Sequence, residues 1–245
     1  LAFWDMTRDG EFPAERFVDM TLRLLATETE STTFRYALAC MSTTAHHYVA
    51  PARRDDVLRH VAAELWTLAN AAEAGSDTQF QLVTAYLGYG EEGDAAFAAN
   101  AHGLLDGTVR LEGLEIDNNF TWTIVQALTS VNEMTNDDVD AQLAKKETTE
   151  NREFAYGARA SMATAEAKEW AWDQALHNDE LTNSQLEAVA RGFSAPALRS
   201  GRAVRRQVLR DCGLGLGQQD LPHGRRPAQR PVPGLRRSRH AGQAR

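Results

Sequence analysis

Two cysteines, Cys40 and Cys212, are all that the 245 residues contain, too few for a disulfide framework. Cys40 falls within a helical pattern as a small apolar residue, and a reducing cytoplasm is the expected compartment. No apolar run approaches the ~20 residues that a membrane span requires, and the opening residues do not read as a signal peptide. A start on Leu1 rather than Met predicts a piece of a longer chain. Strand-like alternation is almost missing: only residues 108–117, with Val109 and Leu111, show it, and that stretch is short and glycine-interrupted enough to read as a connector. The chain also lacks a His-Glu-x-x-His helix, in which two histidines at i and i+4 bind zinc and the glutamate activates water.

The histidines that are present do not replace it. His46 and His47 are adjacent, and neighbours on a helix point about 100° apart, so they do not share a metal simply. His60 and Glu64 are spaced for a surface contact along a helix. Cys40 precedes the two histidines by six and seven residues, but nothing completes a nucleophilic triad. Glycines 88, 90 and 93 follow no strand and make no phosphate cradle. The residues therefore give no catalytic, cofactor-binding or metal-binding site.

Charge is unevenly placed. Residues 200–245 hold eleven arginines, no lysine, and only Asp211 and Asp220 as acids, a balance of +9; the chain total of −8 then leaves −17 on residues 1–199. So acidic a domain argues against nucleic acid as its partner, and is compatible with cationic peptides or simply with a well-solvated surface.

What is abundant is helical periodicity. Pro13 is placed to open a helix in which Phe17, Met20 and Leu24 form one stripe and Val18, Leu22 and Leu25 widen it. Ser31 or Thr32 can cap the next, where Phe34, Ala37, Leu38, Met41, Ala45 and Tyr48 keep helical spacing over four turns. Pro51 restarts the chain into a helix carrying Val57, Val61, Leu65, Trp66 and Leu68. Ser76 and Gln79 match a capping box ahead of Phe80, Val83 and Leu87. A glycine-rich turn over residues 88–93 leads to an alanine-rich helix ending near Leu105, and Phe120, Ile124, Ala127, Leu128 and Val131 make a strong stripe. Polar helices follow at about 136–145 and 149–161.

Residues 161–193 are the most informative stretch. Thr164 can cap a helix whose Trp170 and Trp172 point about 200° apart, so it has two apolar faces and suits an inner position. Thr182 and Gln185 match a second capping box; Leu186, Val189, Ala190 and Phe193 then share a face. Gly192-Phe193 reads as a left-handed cap closing that helix. Trp66, Trp122, Trp170 and Trp172 are expected in the core. About ten helices joined by short turns predict an all-α fold, an α-solenoid-like array of antiparallel, HEAT-like hairpins; a compact helical bundle is the alternative.

The run 163–168, Ala-Thr-Ala-Glu-Ala-Lys, with Trp172 four residues on and then Asp179, Leu181, Asn183 and Gly192-Phe193, resembles the C-terminal helical domain of bacterial aminopeptidase N. That domain is similar to the C-terminal domain of the endoplasmic-reticulum aminopeptidases. Three further patches agree in order and spacing: 4–11 (Trp-Asp-Met-Thr-Arg-Asp-Gly-Glu), Gly75-Ser76-Asp77 with Gln79, and Leu104-Leu105-Asp106-Gly107 leading to Gly113-Leu114, Asp117 and Trp122. The resemblance covers residues 1–199. It implies a parent that is a zinc metallopeptidase removing N-terminal residues from peptides, with the zinc motif outside this segment. It also implies that this segment binds no zinc itself, is non-catalytic, packs against the catalytic domain and covers its chamber. Thr121 departs from the family, which usually carries arginine there. A free-standing helical scaffold that binds another protein is the competing reading.

From Ser200 the pattern gives way to Arg, Gly, Pro and Gln, as in residues 225–231. The family continues with further amphipathic helices; this sequence does not. Residues 200–245 are therefore set apart as a tail, read as the product of a shifted frame, a disordered extension or a nucleic-acid-binding arm.

Overall fold

The computed structural model describes residues 2–194. The expectations for residues 200–245 lie outside the described residues. Among the described residues there are eleven α-helices and one π-helical turn, in the order α1 (Ala2–Arg8), α2 (Ala14–Leu25), α3 (Ser31–Thr43), the π turn (Thr44–Tyr48), α4 (Arg54–Ala71), α5 (Asp77–Leu87), α6 (Ala95–Asp106), α7 (Asn118–Ser130), α8 (Asn136–Lys145), α9 (Thr149–Ser161), α10 (Ala165–His177) and α11 (Asn183–Ser194). No strand occurs among the described residues, so the all-α expectation holds and residues 108–117 are a connector.

Side chains that satisfy first-turn amides set where the helices start. Ser76 accepts from Gln79 N at 3.1 Å, Asp94 from Ala96 N and Phe97 N, Asp117 from Phe120 N and Thr164 from Ala167 N. Thr182 and Gln185 bond reciprocally, as the capping box requires. At Ser76 the box is modified, because Gln79 Oε1 accepts from Gly75 N instead of Ser76 N. For α3 the cap is Glu30 rather than Ser31 or Thr32: its carboxylate accepts from Thr32 N and Thr33 N. Each such cap is worth about 1 kcal/mol.

Neighbouring helices pack in sequence, α2 on α3 and α4, α4 on α5, α6 on α7, α5 on α7, α7 on α9, and α9 on α8, α10 and α11. One continuous core runs from Val18 in α2 to Ala167 in α10, and a smaller one joins Ala160, Ala171 and Val189. Fully burying a Val, Leu or Phe contributes about 1.5–3 kcal/mol.

Several local expectations are corrected. Gly192 does not cap α11: the helix continues to Ser194, and Gly192 lies buried where α11 crosses α9, with its missing Cβ position 2.2 Å from the Gly157 carbonyl oxygen. The buried face of α11 is accordingly Ala188, Val189 and Gly192, while Leu186 and Ala190 face solvent. In α10 the small Ala167 and Ala171 take the interior with Lys168. Trp170 and Trp172 stay half-buried, stacked on Tyr156 of α9 and tilted against Phe193 of α11. Of the four tryptophans expected in the core, only Trp122 is fully buried, and Trp66 is also half-buried. The stripe of α2 is likewise split: Phe17, Val18, Thr21, Leu22 and Leu25 turn inward, whereas Met20 and Leu24 stay open.

Candidate functional site

An open apolar cavity lies between α1, α2 and α3. Phe3 and Trp4 form one wall, Met20 and Leu24 a second, and Tyr36 and Cys40 a third, around a cavity of about 620 Å³. Its shape follows from local sequence. The turn after α1 is held by Glu11 N and Phe12 N donating to the Met6 carbonyl, which folds Phe12 back onto Phe3 with ring centroids 5.0 Å apart. Trp4 then leans on Phe17 at 5.8 Å and on Tyr48 at 5.9 Å. Among the described residues no charged side chain lines the cavity. Burial pushes the Cys40 thiol up, with the neighbouring Tyr36 hydroxyl opposing the shift, so this cysteine is a lining group and not an activated nucleophile.

A second cluster surrounds the π turn. The regular helix expected through Tyr48 gives way at Thr44, and Val49 N closes back on the Thr44 carbonyl. Such turns widen a helix by one residue. His46 is thereby buried, its Nδ1 2.9 Å from the Ser42 carbonyl oxygen and its ring 5.1 Å from that of Tyr89, whereas His47 is exposed. Two residues beyond Tyr89, Glu91 is buried with Oε2 paired to Arg59 at 2.9 Å. Burial pushes the Glu91 carboxyl up, and Arg59 pulls it partly back. Burial also raises Tyr86, to about 12.

The residues weighed in the sequence are not brought together. The rings of His46 and His47 diverge, with centroids 6.4 Å apart. His60 pairs with Asp19 of α2 at 3.7 Å rather than with Glu64. Among the described residues no group of three His, Cys, Asp or Glu side chains is arranged to hold a metal ion. No helix among them is long and apolar enough to cross a membrane. Thr121, at the position where the resemblance leads to arginine, turns its hydroxyl back onto the Asp117 carbonyl at 2.8 Å.

Sequence reasoning used Lys168 only as part of the run 163–168 and gave it no structural role. It is fully buried, donates to the Ala160 carbonyl at 2.6 Å and to the Gly192 carbonyl at 3.4 Å, and lies 5.7 Å from the centre of the Phe193 ring. Those carbonyls belong to the last turns of α9 and α11, the negative ends of both helices. The only available signal was a lysine three residues after Ala165 on the alanine-rich face, which ordinary surface statistics assign to solvent.

Comparison with known proteins matches this arrangement to one family. The model of the ERAP1-like C-terminal domain matches residues 1–208. An aminopeptidase N from Streptomyces lividans is 30% identical over 190 residues, which is 78% of this chain and 22% of that protein. The chain therefore spans about a fifth of the length of this relative. With its uninterrupted helical packing and a match over most of its length, the chain belongs to the ERAP1-like C-terminal domain family.

Proposed function

We propose that this chain is the non-catalytic helical domain of a zinc-dependent aminopeptidase N, an enzyme that releases N-terminal amino acids from peptides. The observation that carries the reading is the likeness to the Streptomyces lividans aminopeptidase N over 78% of the chain. In this reading residues 1–199 form the domain, an array of helical hairpins. They pack against a catalytic domain elsewhere in the polypeptide, wall its chamber, and admit peptides while holding back folded proteins. Zinc belongs to that other domain, and a cytoplasmic location agrees with the sparse cysteines.

The chain's own part in such an enzyme is mechanical. Its helices are tied by side-chain contacts, such as the buried Thr129 and Ser161 hydroxyls 2.7 Å apart and the half-buried Asn118 on Asn151 at 2.8 Å, both between α7 and α9. A wall of that kind shapes a chamber without moving a proton. The test is to incubate the purified 245-residue chain with an alanine anilide, with and without added zinc. No release of the aniline is expected under either condition. Zinc-dependent turnover abolished by a chelator would overturn the non-catalytic assignment.

A further inference from the structure

We infer that the groove between α1, α2 and α3 is a docking surface for an apolar segment of the aminopeptidase polypeptide outside this chain. This rests on the reading above and assigns it a particular surface.

Nine large apolar side chains are exposed among the described residues, and six of them, Phe3, Met6, Met20, Leu24, Tyr36 and Tyr48, come from the first 48 residues. The other three fall on three different helices, α5, α10 and α11. Four of the six, Phe3, Met20, Leu24 and Tyr36, line the one groove, and a contiguous apolar patch marks an interaction surface. Helix α2 makes the point at the level of sequence. Its face with Val18, Leu22 and Leu25 already serves the core, yet Met20 and Leu24 give it a second apolar face, 36% and 42% exposed, that the described residues leave open.

The chemistry of the groove selects its occupant. Residues 1–199 carry −17, which would favour a cationic peptide almost anywhere else, but among the described residues no ionised side chain lines the groove. A volume of about 620 Å³ accommodates a few apolar side chains and is too small for a packed helix. The Streptomyces lividans relative has most of its length outside the region it shares with this chain, so an enzyme of that type has ample polypeptide to supply such a segment. Phe3 and Trp4 of the first helix line the groove, close to the start of the region that the family matches.

The test has two arms. In the first, the 245-residue chain and its Met20→Glu/Leu24→Glu variant are compared for fluorescence of 1-anilinonaphthalene-8-sulfonate. The variant is expected to lose several-fold of the dye signal, and an unchanged signal would overturn the groove as an open apolar surface. Light scattering on the same samples checks self-association, because a dimer abolished by the two substitutions makes a second copy the occupant and overturns the inference. In the second arm, the complete chain replaces the matching region of the Streptomyces lividans aminopeptidase N, with the photoreactive residue benzoylphenylalanine at position 24, or at position 176 as a control. Cross-links from position 24 to the preceding polypeptide, absent from position 176, are expected. An active chimera without them overturns the docking surface and leaves the functional reading standing. An inactive chimera that still cross-links at position 24 retains the docking surface and counts against the functional reading.

Discussion

The ammonium of Lys168 donates to the Ala160 carbonyl at 2.6 Å from a position with no solvent exposure. Burying a cation is costly unless its partners compensate, and here the Ala160 carbonyl and, at 3.4 Å, the Gly192 carbonyl accept from it. Replacing Lys168 with Met keeps most of the stem and removes the charge, leaving the Ala160 and Gly192 carbonyls without this donor. The loss is expected to be about 1–3 kcal/mol, read from urea unfolding of the 245-residue chain. An unchanged midpoint would show that the clamp contributes nothing.

Two glycines on the same helix crossing are expected to respond with opposite signs. A Cβ on Gly192 would lie 2.2 Å from the Gly157 oxygen and 2.8 Å from the Ala160 Cβ, so α11 must move away from α9. A Cβ on Gly157 would meet its nearest neighbour, the Ala188 oxygen, at 3.4 Å, an ordinary contact. Glycine-to-alanine inside a helix gains about 1 kcal/mol of propensity, while overpacking costs about 1–3 kcal/mol. Gly157→Ala is therefore neutral or stabilising, and Gly192→Ala destabilising by up to about 2 kcal/mol. Thermal unfolding of the two variants side by side decides it.

Glu30 predicts a specific acid dependence. Its carboxylate accepts from the Thr32 and Thr33 amides, which lower it from 4.5 to about 2. Because the folded value lies below the unfolded one, its contribution is complete above about pH 4.5 and disappears as pH falls through about 2. The gap in melting temperature between the wild-type chain and Glu30→Gln should be constant above pH 5 and close toward pH 2. A gap independent of pH would place the effect in packing and not in the carboxylate.

The helices, several of their caps and the family were legible because they depend on local periodicity, short-range hydrogen bonds and ordered motifs. Thr164 and the Thr182–Gln185 pair do what their spacing implies. What failed depends on the partner helix. Gly192 followed by Phe193 looks like a helix end, and only the approach of α9 reveals that the missing Cβ makes room for the Gly157 carbonyl. Periodicity also cannot separate an apolar face buried by the fold from one left open. Met20 and Leu24 satisfied the stripe of α2 as well as Leu22 did, yet they border the groove. The π turn was illegible for a related reason: the apolar spacing of α3 continues to Tyr48 across a register shift of one residue.

The contact of Gly75 with Gly113 has a consequence for how the chain tolerates change in length. The two turns touch backbone to backbone, with a Cβ on Gly113 falling 2.3 Å from the Gly75 nitrogen. This fastens the link between α4 and α5 to the connector ahead of α7, so an added residue in either one displaces both. The turns at Gly10 and Gly93 have the same left-handed backbone, but nothing lies within 4 Å of a Cβ built there. Epitope tags or protease sites spliced in at those two open turns should leave the helical framework undisturbed, whereas the paired turns set a fixed gauge between its halves.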